Sequence, residues 1–181
     1  YRTVVLDPDP AAPAGAVADE HVVAEYDDRT ALSHLASSCA AVTTEFENVS
    51  AAALAFVAES VRVAPSADSV AVAQDRLREK QFLRSAGISI APFVSVPSGT
   101  DDLNDHLDLN GCLPGIVKTA RGGYDGKGQC LVDDLASVLG ASRAFGGVDC
   151  VVERRLHLVM ELSVVVVRTE HEVVTYAVAE N

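Results

Sequence analysis

The sequence predicts an α/β chain of two lobes: a parallel α/β lobe over residues 1–90, then a smaller α+β lobe with antiparallel strands over 91–181. Three observations point to it. Short β-branched runs alternate with helical segments up to about residue 64, the rhythm of a parallel sheet with helices on its faces. That rhythm breaks near Gly87 and Ile88. Beyond it, two pairs of apolar runs are joined by glycine-rich or polar links, which reads as antiparallel hairpins.

Residues 3–6 form the first strand, ended by the turn cluster Asp7-Pro-Asp-Pro10. Residues 21–24 form the second, and Asp28 caps a helix reaching about Ser38. Residues 40–44 are a third strand, running out into Glu45-Phe-Glu-Asn48. Ser50 then caps an alanine-rich helix to about Glu59, and residues 61–64 are a fourth strand. In such sheets ligands bind beyond the carboxyl ends of the strands, which singles out Glu45 and Glu47. Ser66 or Asp68 opens one helical segment to about Ala86, with Gly87 as its C′ residue. Within it Leu77, Phe82 and Leu83 are expected to face a core, while Arg76, Lys80 and Arg84 line another side. That basic side fits a solvated surface or, at Arg76, contact with a ligand phosphate.

In the second lobe, residues 90–96 are a strand, 101–109 a short helix, and 116–119 with 129–132 a hairpin. Asp133 or Asp134 starts a helix to about Phe145, followed by a strand over 148–153. Residues 161–168 and 172–178 pair around Thr169-Glu-His171. A cleft between two such lobes is the expected ligand site.

The chain has 181 residues, a net charge of −12 and a hydrophobic fraction of 49%, enough for one large core or two small ones. Its acids are scattered, which reads as a solvated surface suited to high ionic strength. No basic face exists to neutralise a nucleic acid backbone. Lysine occurs only at 80, 118 and 127. Cysteines 39, 112, 130 and 150 show no Cys-x-x-Cys spacing and lie in or near apolar runs, as reduced thiols of a cytoplasmic protein would. A metal site or a disulfide at these cysteines is the lesser option, and the five histidines share no ligand spacing, so none is assigned chemistry. Neither a membrane span nor a secretory signal is expected. Both ends fall in strand-like runs, as in a piece of a longer protein.

Against this acidic background stands Ile116-Val-Lys-Thr-Ala-Arg-Gly-Gly-Tyr-Asp-Gly-Lys-Gly-Gln129. Its glycines let the backbone turn sharply and approach a ligand closely, while Lys118, Arg121 and Lys127 bring positive charge. A P-loop needs Ser or Thr where Gly128 stands, and a dinucleotide fingerprint needs glycine at Leu131 and a following helix. What fits is a glycine-rich flap between antiparallel strands, laid over a nucleotide's phosphates.

Further motifs join the flap: Thr43-Thr-Glu-Phe-Glu-Asn-Val49, Gln74-Asp-Arg76 with Lys80-Gln-Phe-Leu83, Gly87-Ile88 with Ala91-Pro92, Glu161-Leu-Ser-Val164 and Tyr176-Ala-Val-Ala-Glu-Asn181. Together they resemble the N5-carboxyaminoimidazole ribonucleotide synthetase family of ATP-grasp ligases, nearly end to end. The resemblance implies a pre-ATP-grasp lobe followed by an ATP-grasp lid and the start of the next ATP-grasp region. It implies ATP-dependent carboxylation of 5-aminoimidazole ribonucleotide by bicarbonate, through carboxyphosphate, in purine biosynthesis. It also implies Mg²⁺, with ligands beyond residue 181, and a homodimer at full length. The family's opening strand and its Gly-Gly-Gln-Leu-Gly type loop are expected ahead of Tyr1. Carried over by position, the ATP contacts are Arg76, Lys118, Gly123, Tyr124, Asp125, Gly126, Lys127, Gly128, Gln129, Glu153, Arg154, Arg155, Leu156 and Glu161. Residues 153–156 would read adenine through backbone groups, and Glu161 would bind the ribose hydroxyls. Glu45, Tyr124 and Asp125 would touch the ribonucleotide, and Lys118 and Asp125 are the catalytic candidates. Another ATP-grasp ligase, of formate-dependent glycinamide ribonucleotide transformylase or biotin carboxylase type, would share Lys118 and the 153–156 segment. It would not be expected to pair Thr-Glu-Phe-Glu-Asn with Gly-Gly-Tyr-Asp. For this piece alone, nucleotide binding without turnover is the other option.

Overall fold

A computed structural model of the chain describes residues 1–99, 108–123 and 126–181. The expected helix over 101–109 lies almost wholly outside them, as do Tyr124 and Asp125.

The first lobe follows the expected rhythm. Strand β1 (Val4–Leu6) leads through helix α1 (Pro13–Val17) to β2 (Glu20–Val22), which pairs with it in parallel. Helix α2 (Arg29–Ser38) starts where Asp28 accepts hydrogen bonds from the Thr30 and Ala31 amides. Strand β3 (Ala41–Val42) is joined through α3 (Ala51–Ala58) to β4 (Arg62–Val63), again in parallel. Leu32, Ala53 and Val57 form the buried centre, with Leu6, Val42 and Val63 packed around them. Helix α1 went unanticipated, since five residues carry too little periodicity to stand out; Pro13 at its first turn suits the fixed φ of proline. Ser50 holds the N-cap position of α3 without a capping side-chain hydrogen bond.

The single helix expected from 66 to 86 is two. Helix α4 (Ala67–Ala73) is capped by Ser66, and α5 (Arg76–Ser85) by Asp75, whose carboxylate accepts from the Leu77 and Arg78 amides. An Asx cap competes with helix continuation, which breaks the run at Gln74 and Asp75. Gly87 ends α5 with φ at +74°, as expected of a C′ residue. The expected faces of α5 need correction. Phe82 is 58% exposed, whereas the Lys80 side chain is only 12% exposed. Lys80 and Arg84 lie over the Phe93 ring at 5.5 and 4.1 Å, so Lys80 packs inward while Arg84, itself exposed, stacks on the same ring.

The second lobe is built on four antiparallel strands in the order β5 (Phe93–Val96), β8 (Cys150–Arg154), β6 (Gly115–Thr119), β7 (Gln129–Val132). Helix α6 (Leu135–Ala144), with a capping box from Asp134 to Ser137, covers one face. Val96, Val117, Val132, Val138 and Val152 are almost fully buried there, each contributing about 1.5–3 kcal/mol. Burial also pushes the Cys112 and Cys150 thiols up from their ordinary range. All four cysteines are free; Cys130 is exposed.

The expected terminal hairpin forms as β10 (Val166–Arg168) with β11 (Val173–Thr175), and beside it β9 (Leu162–Ser163) pairs with β12 (Ala179–Glu180). Every residue from Arg154 onward is exposed. The α/β class, with a parallel first lobe and an antiparallel second, is therefore the one the sequence predicts.

Candidate active site

Three consecutive residues at the α4–α5 break join the lobes. Gln74 donates from Nε2 to the carbonyls of Glu47 and Val49, both at 2.6 Å. Asp75, besides capping α5, accepts from Arg121 Nε at 3.1 Å. Arg76 donates from its amide to Ala120 O at 2.9 Å and from Nη2 to Gly123 O at 3.0 Å. The loop after β3 and the base of the glycine hairpin are thus tied to one short segment.

Between them lies a cleft of about 440 Å³ lined by Glu45, Phe46, Arg76, Arg121, Gly122 and Gly123 among others. The β3–α3 loop is backed by Tyr26, whose ring lies 5.6 Å from that of Phe46 and whose hydroxyl donates to Asp7 Oδ2 at 3.0 Å. Desolvation, reinforced by that carboxylate, raises the Tyr26 hydroxyl above its usual range, so it stays protonated and donating. Glu45 and Arg76, expected on substrate and ATP respectively, share this cleft.

Lys118 lies outside its lining. From β6 its Nζ reaches Glu153 Oε2 on β8 at 3.2 Å, and Lys80 Nζ from α5 reaches the same oxygen at 3.1 Å. Registry allows the first contact, because Glu153 stands opposite Ile116 and is a diagonal neighbour of Lys118 on the same face of the β6–β8 ladder. Glu153 is a buried acid, 9% exposed, and its side chain is spent on these two lysines. The expectation for residue 153 concerned its backbone alone and missed this cluster.

The hairpin itself forms as expected: Lys118 pairs with Gln129, and the glycine-rich link spans between them. Gly122, Gly126 and Gly128 have φ of +71°, +78° and +69°. At Gly128 a Cβ would sit 2.7 Å from Thr119 Oγ1, so glycine is required by space as well as by φ. Lys127 and Gln129 are exposed on this flap.

In the 153–156 segment the Arg154 amide donates to Pro92 O and the Arg155 amide to Pro114 O, both at 2.9 Å. Those two amides are therefore already engaged, and Glu153 lies within the ladder between Phe93 and Ile116. The side chains of Arg154, Arg155 and Leu156 are exposed. Glu161 is exposed as well, and it accepts from the Asn181 side chain at 3.4 Å. Among the described residues, no group of three or more His, Cys, Asp or Glu is disposed to hold a metal ion. No helix among them is long and apolar enough to cross a membrane.

Sequence reasoning missed Lys80, Gln74 and Asp75 as site-building residues. The rarity of lysine in this chain was a usable signal for Lys80. For Gln74 and Asp75 the Gln74-Asp-Arg76 motif was a signal, although it says nothing of the distant backbone carbonyls that Gln74 holds.

Known proteins match this chain over nearly its whole length. The N5-carboxyaminoimidazole ribonucleotide synthase of Staphylococcus aureus (strain COL) is 38% identical over 176 residues, covering 97% of this chain and 46% of that protein. The crystal structure of N5-carboxyaminoimidazole synthetase from Staphylococcus aureus complexed with ADP superimposes with a TM-score of 0.89 at 37% identity, covering 100% of this chain and 48% of that one. An N5-carboxyaminoimidazole synthase from Aspergillus clavatus, in complex with ADP and 5-aminoimidazole ribonucleotide, gives a TM-score of 0.77 at 27% identity, over 97% of this chain and 46% of that one. The chain spans about half the length of the curated relatives it matches. A model of the ribonucleotide synthetase preATP-grasp domain matches residues 1–74, and a model of the ATP-grasp domain matches residues 81–181. With the latter covering more than half of its residues, the chain belongs to the ATP-grasp family.

Proposed function

We propose that this chain is the preATP-grasp and lid portion of an ATP-dependent ligase that carboxylates 5-aminoimidazole ribonucleotide with bicarbonate, releasing ADP and phosphate. The observation that carries the proposal is the cleft in which Glu45, Arg76 and Gly122–Gly123 meet from three separate segments beside the Lys118 hairpin. The relatives bound to ADP, and to ADP with 5-aminoimidazole ribonucleotide, support it.

In this scheme the nucleotide's phosphates lie under the flap from Gly123 to Gln129, with Lys118 and Lys127 supplying charge. Arg76 holds the flap's base through Gly123 O and turns its remaining donors to the phosphates. The adenine edge meets backbone groups of the 153–156 segment, and Glu161 accepts from the ribose. Glu45, Tyr124 and Asp125 orient the ribonucleotide so that its exocyclic amine meets the activated carboxyl group. Orientation and preorganised charge supply the rate enhancement. Mg²⁺ belongs to this reading through the family resemblance, which puts its ligands beyond residue 181; when bound, the ion would neutralise charge on the phosphates.

Phosphate release by the full-length protein tests the scheme. It is expected to rise when 5-aminoimidazole ribonucleotide and bicarbonate are supplied together. Equal stimulation by glycinamide ribonucleotide with formate, or by biotin, would assign another ATP-grasp activity. Tyr124→Phe and Asp125→Asn are expected to lower the ribonucleotide-dependent rate more than nucleotide affinity.

A further inference from the structure

One carboxylate serving two lysines is more positive charge than the fold needs. Lys80 and Lys118 both sit on Oε2 of Glu153, at 3.1 and 3.2 Å, and the three side chains are 12%, 22% and 12% exposed respectively. A single cation would neutralise the buried acid. The second must be desolvated and held beside a like charge, which is unfavourable unless something else uses it. The cluster as built carries one positive charge in excess.

The two lysines are not equivalent. Lys80 is clamped: its ammonium also lies over the Phe93 ring, where Arg84 stacks too, and its side chain is the more buried. Lys118 is nearly twice as exposed and sits on β6, the strand that runs directly into the flap. Were Lys118 the sole partner of Glu153, drawing it onto a polyphosphate would strand a buried carboxylate, a strongly disfavoured state. With Lys80 in place it does not.

We propose that Lys80 is a positioning residue: it keeps Glu153 neutralised so that Lys118 can exchange its carboxylate partner for the phosphates of a bound nucleotide. Lys80 acts through Glu153 and Lys118 and does not itself touch the nucleotide. The proposal rests on the nucleotide site described above.

The test is a titration of the full-length protein with a non-hydrolysable ATP analogue. Lys80→Met, which keeps the apolar contact with Phe93 but leaves Lys118 as the only cation on Glu153, is expected to weaken binding about tenfold, the worth of one charge-assisted hydrogen bond. Lys80→Gln removes the charge while retaining a donor to Glu153, and gives the same measurement should the methionine variant fail to fold. Lys80→Arg restores the cation and is expected to bind within about threefold of the parent. In a Glu153→Gln background, where no carboxylate detains Lys118, Lys80→Met is expected to change affinity less than about twofold. Equal losses in both backgrounds overturn the proposal, because Lys80 would then act on the nucleotide directly or on the fold alone. Unchanged affinity in Lys80→Met and Lys80→Gln overturns it too. Lys118→Ala separates the two layers: if it binds the analogue normally, the nucleotide site itself is misassigned, whereas weak binding there with unchanged Lys80 variants sinks only the exchange.

Discussion

At the residue scale, Lys118 and Gly128 illustrate two different ways of being irreplaceable. Removing Lys118 leaves Glu153 still paired with Lys80, so the fold should lose little while the site loses a phosphate donor. Lys118→Ala is therefore expected to weaken ATP-analogue binding by about 1.5–3 kcal/mol, with a much smaller change in thermal stability. Calorimetric titration beside thermal unfolding checks both halves; a large stability loss would make Lys118 mainly structural. Gly128 is limited by geometry. Its φ is +69° and Thr119 Oγ1 would meet a Cβ at 2.7 Å, whereas at Gly126, with φ at +78°, the nearest atom is Gln129 Nε2 at 3.6 Å. Both alanine substitutions carry a left-handed backbone cost of about 1–2 kcal/mol, and Gly128→Ala adds a steric one. Denaturant unfolding should rank Gly128→Ala as the less stable; equal values would mean that Thr119 moves aside freely.

At the element scale, the helices show what a local reading captures. Asp28 reads as a cap from sequence, and the other cap narrows to Asp133 or Asp134, because an N-cap signal lies within four residues of the helix it starts; the structure places the second at Asp134. The same logic applied to Asp75 would have split the 66–86 segment, but the strong helix formers on either side of it masked the break. Asp75 does two jobs, capping α5 and pairing with Arg121, and substitutions separate them. Asp75→Asn keeps the cap and loses the ion pair; Asp75→Ala loses both. Alanine is expected to cost about 1 kcal/mol more than asparagine in denaturant unfolding, the size of one cap. The Asp134 cap adds a pH signature. Hydrogen bonds from Ser137 hold its carboxyl below the ordinary 3.8, so its stabilisation is complete above that value and is lost as pH falls through the lower folded one. The stability gap between the parent and Asp134→Ala should be constant near neutrality and shrink below about pH 3.8; a gap that widens in acid would show that another carboxylate dominates there. What the sequence hid were contacts closed by the fold. The Lys80–Glu153–Lys118 cluster draws on α5, β8 and β6, and Gln74 grips the carbonyls of a loop some 25 residues before it in the same lobe. Neither leaves a periodic or spacing signal.

At the scale of the whole molecule, two forces pull against each other. Between residues 156 and 178 the strands of the β9–β12 and β10–β11 pairs and the links around them present Leu158, Val159, Val165, Val173, Tyr176 and Val178 at 60% exposure or more. Short two-stranded sheets with both faces bare are marginal alone, and apolar area of this kind promotes association. Opposing it is a net charge of −12 on 181 residues, which repels like molecules over a Debye length of about 10 Å at 0.1 M salt. At 1 M that length falls to about 3 Å, so the repulsion vanishes while apolar burial remains. The 181-residue chain on its own is therefore expected to sediment near its monomer mass at low salt and to associate, increasingly with concentration, as salt is raised. Substituting Val165 and Val173 by threonine, which retains strand propensity while removing apolar surface, should shift the onset to higher salt. Sedimentation velocity across both series decides it. Association that instead weakens with salt would show that charge pairing between copies, rather than the valine-rich face, holds them together.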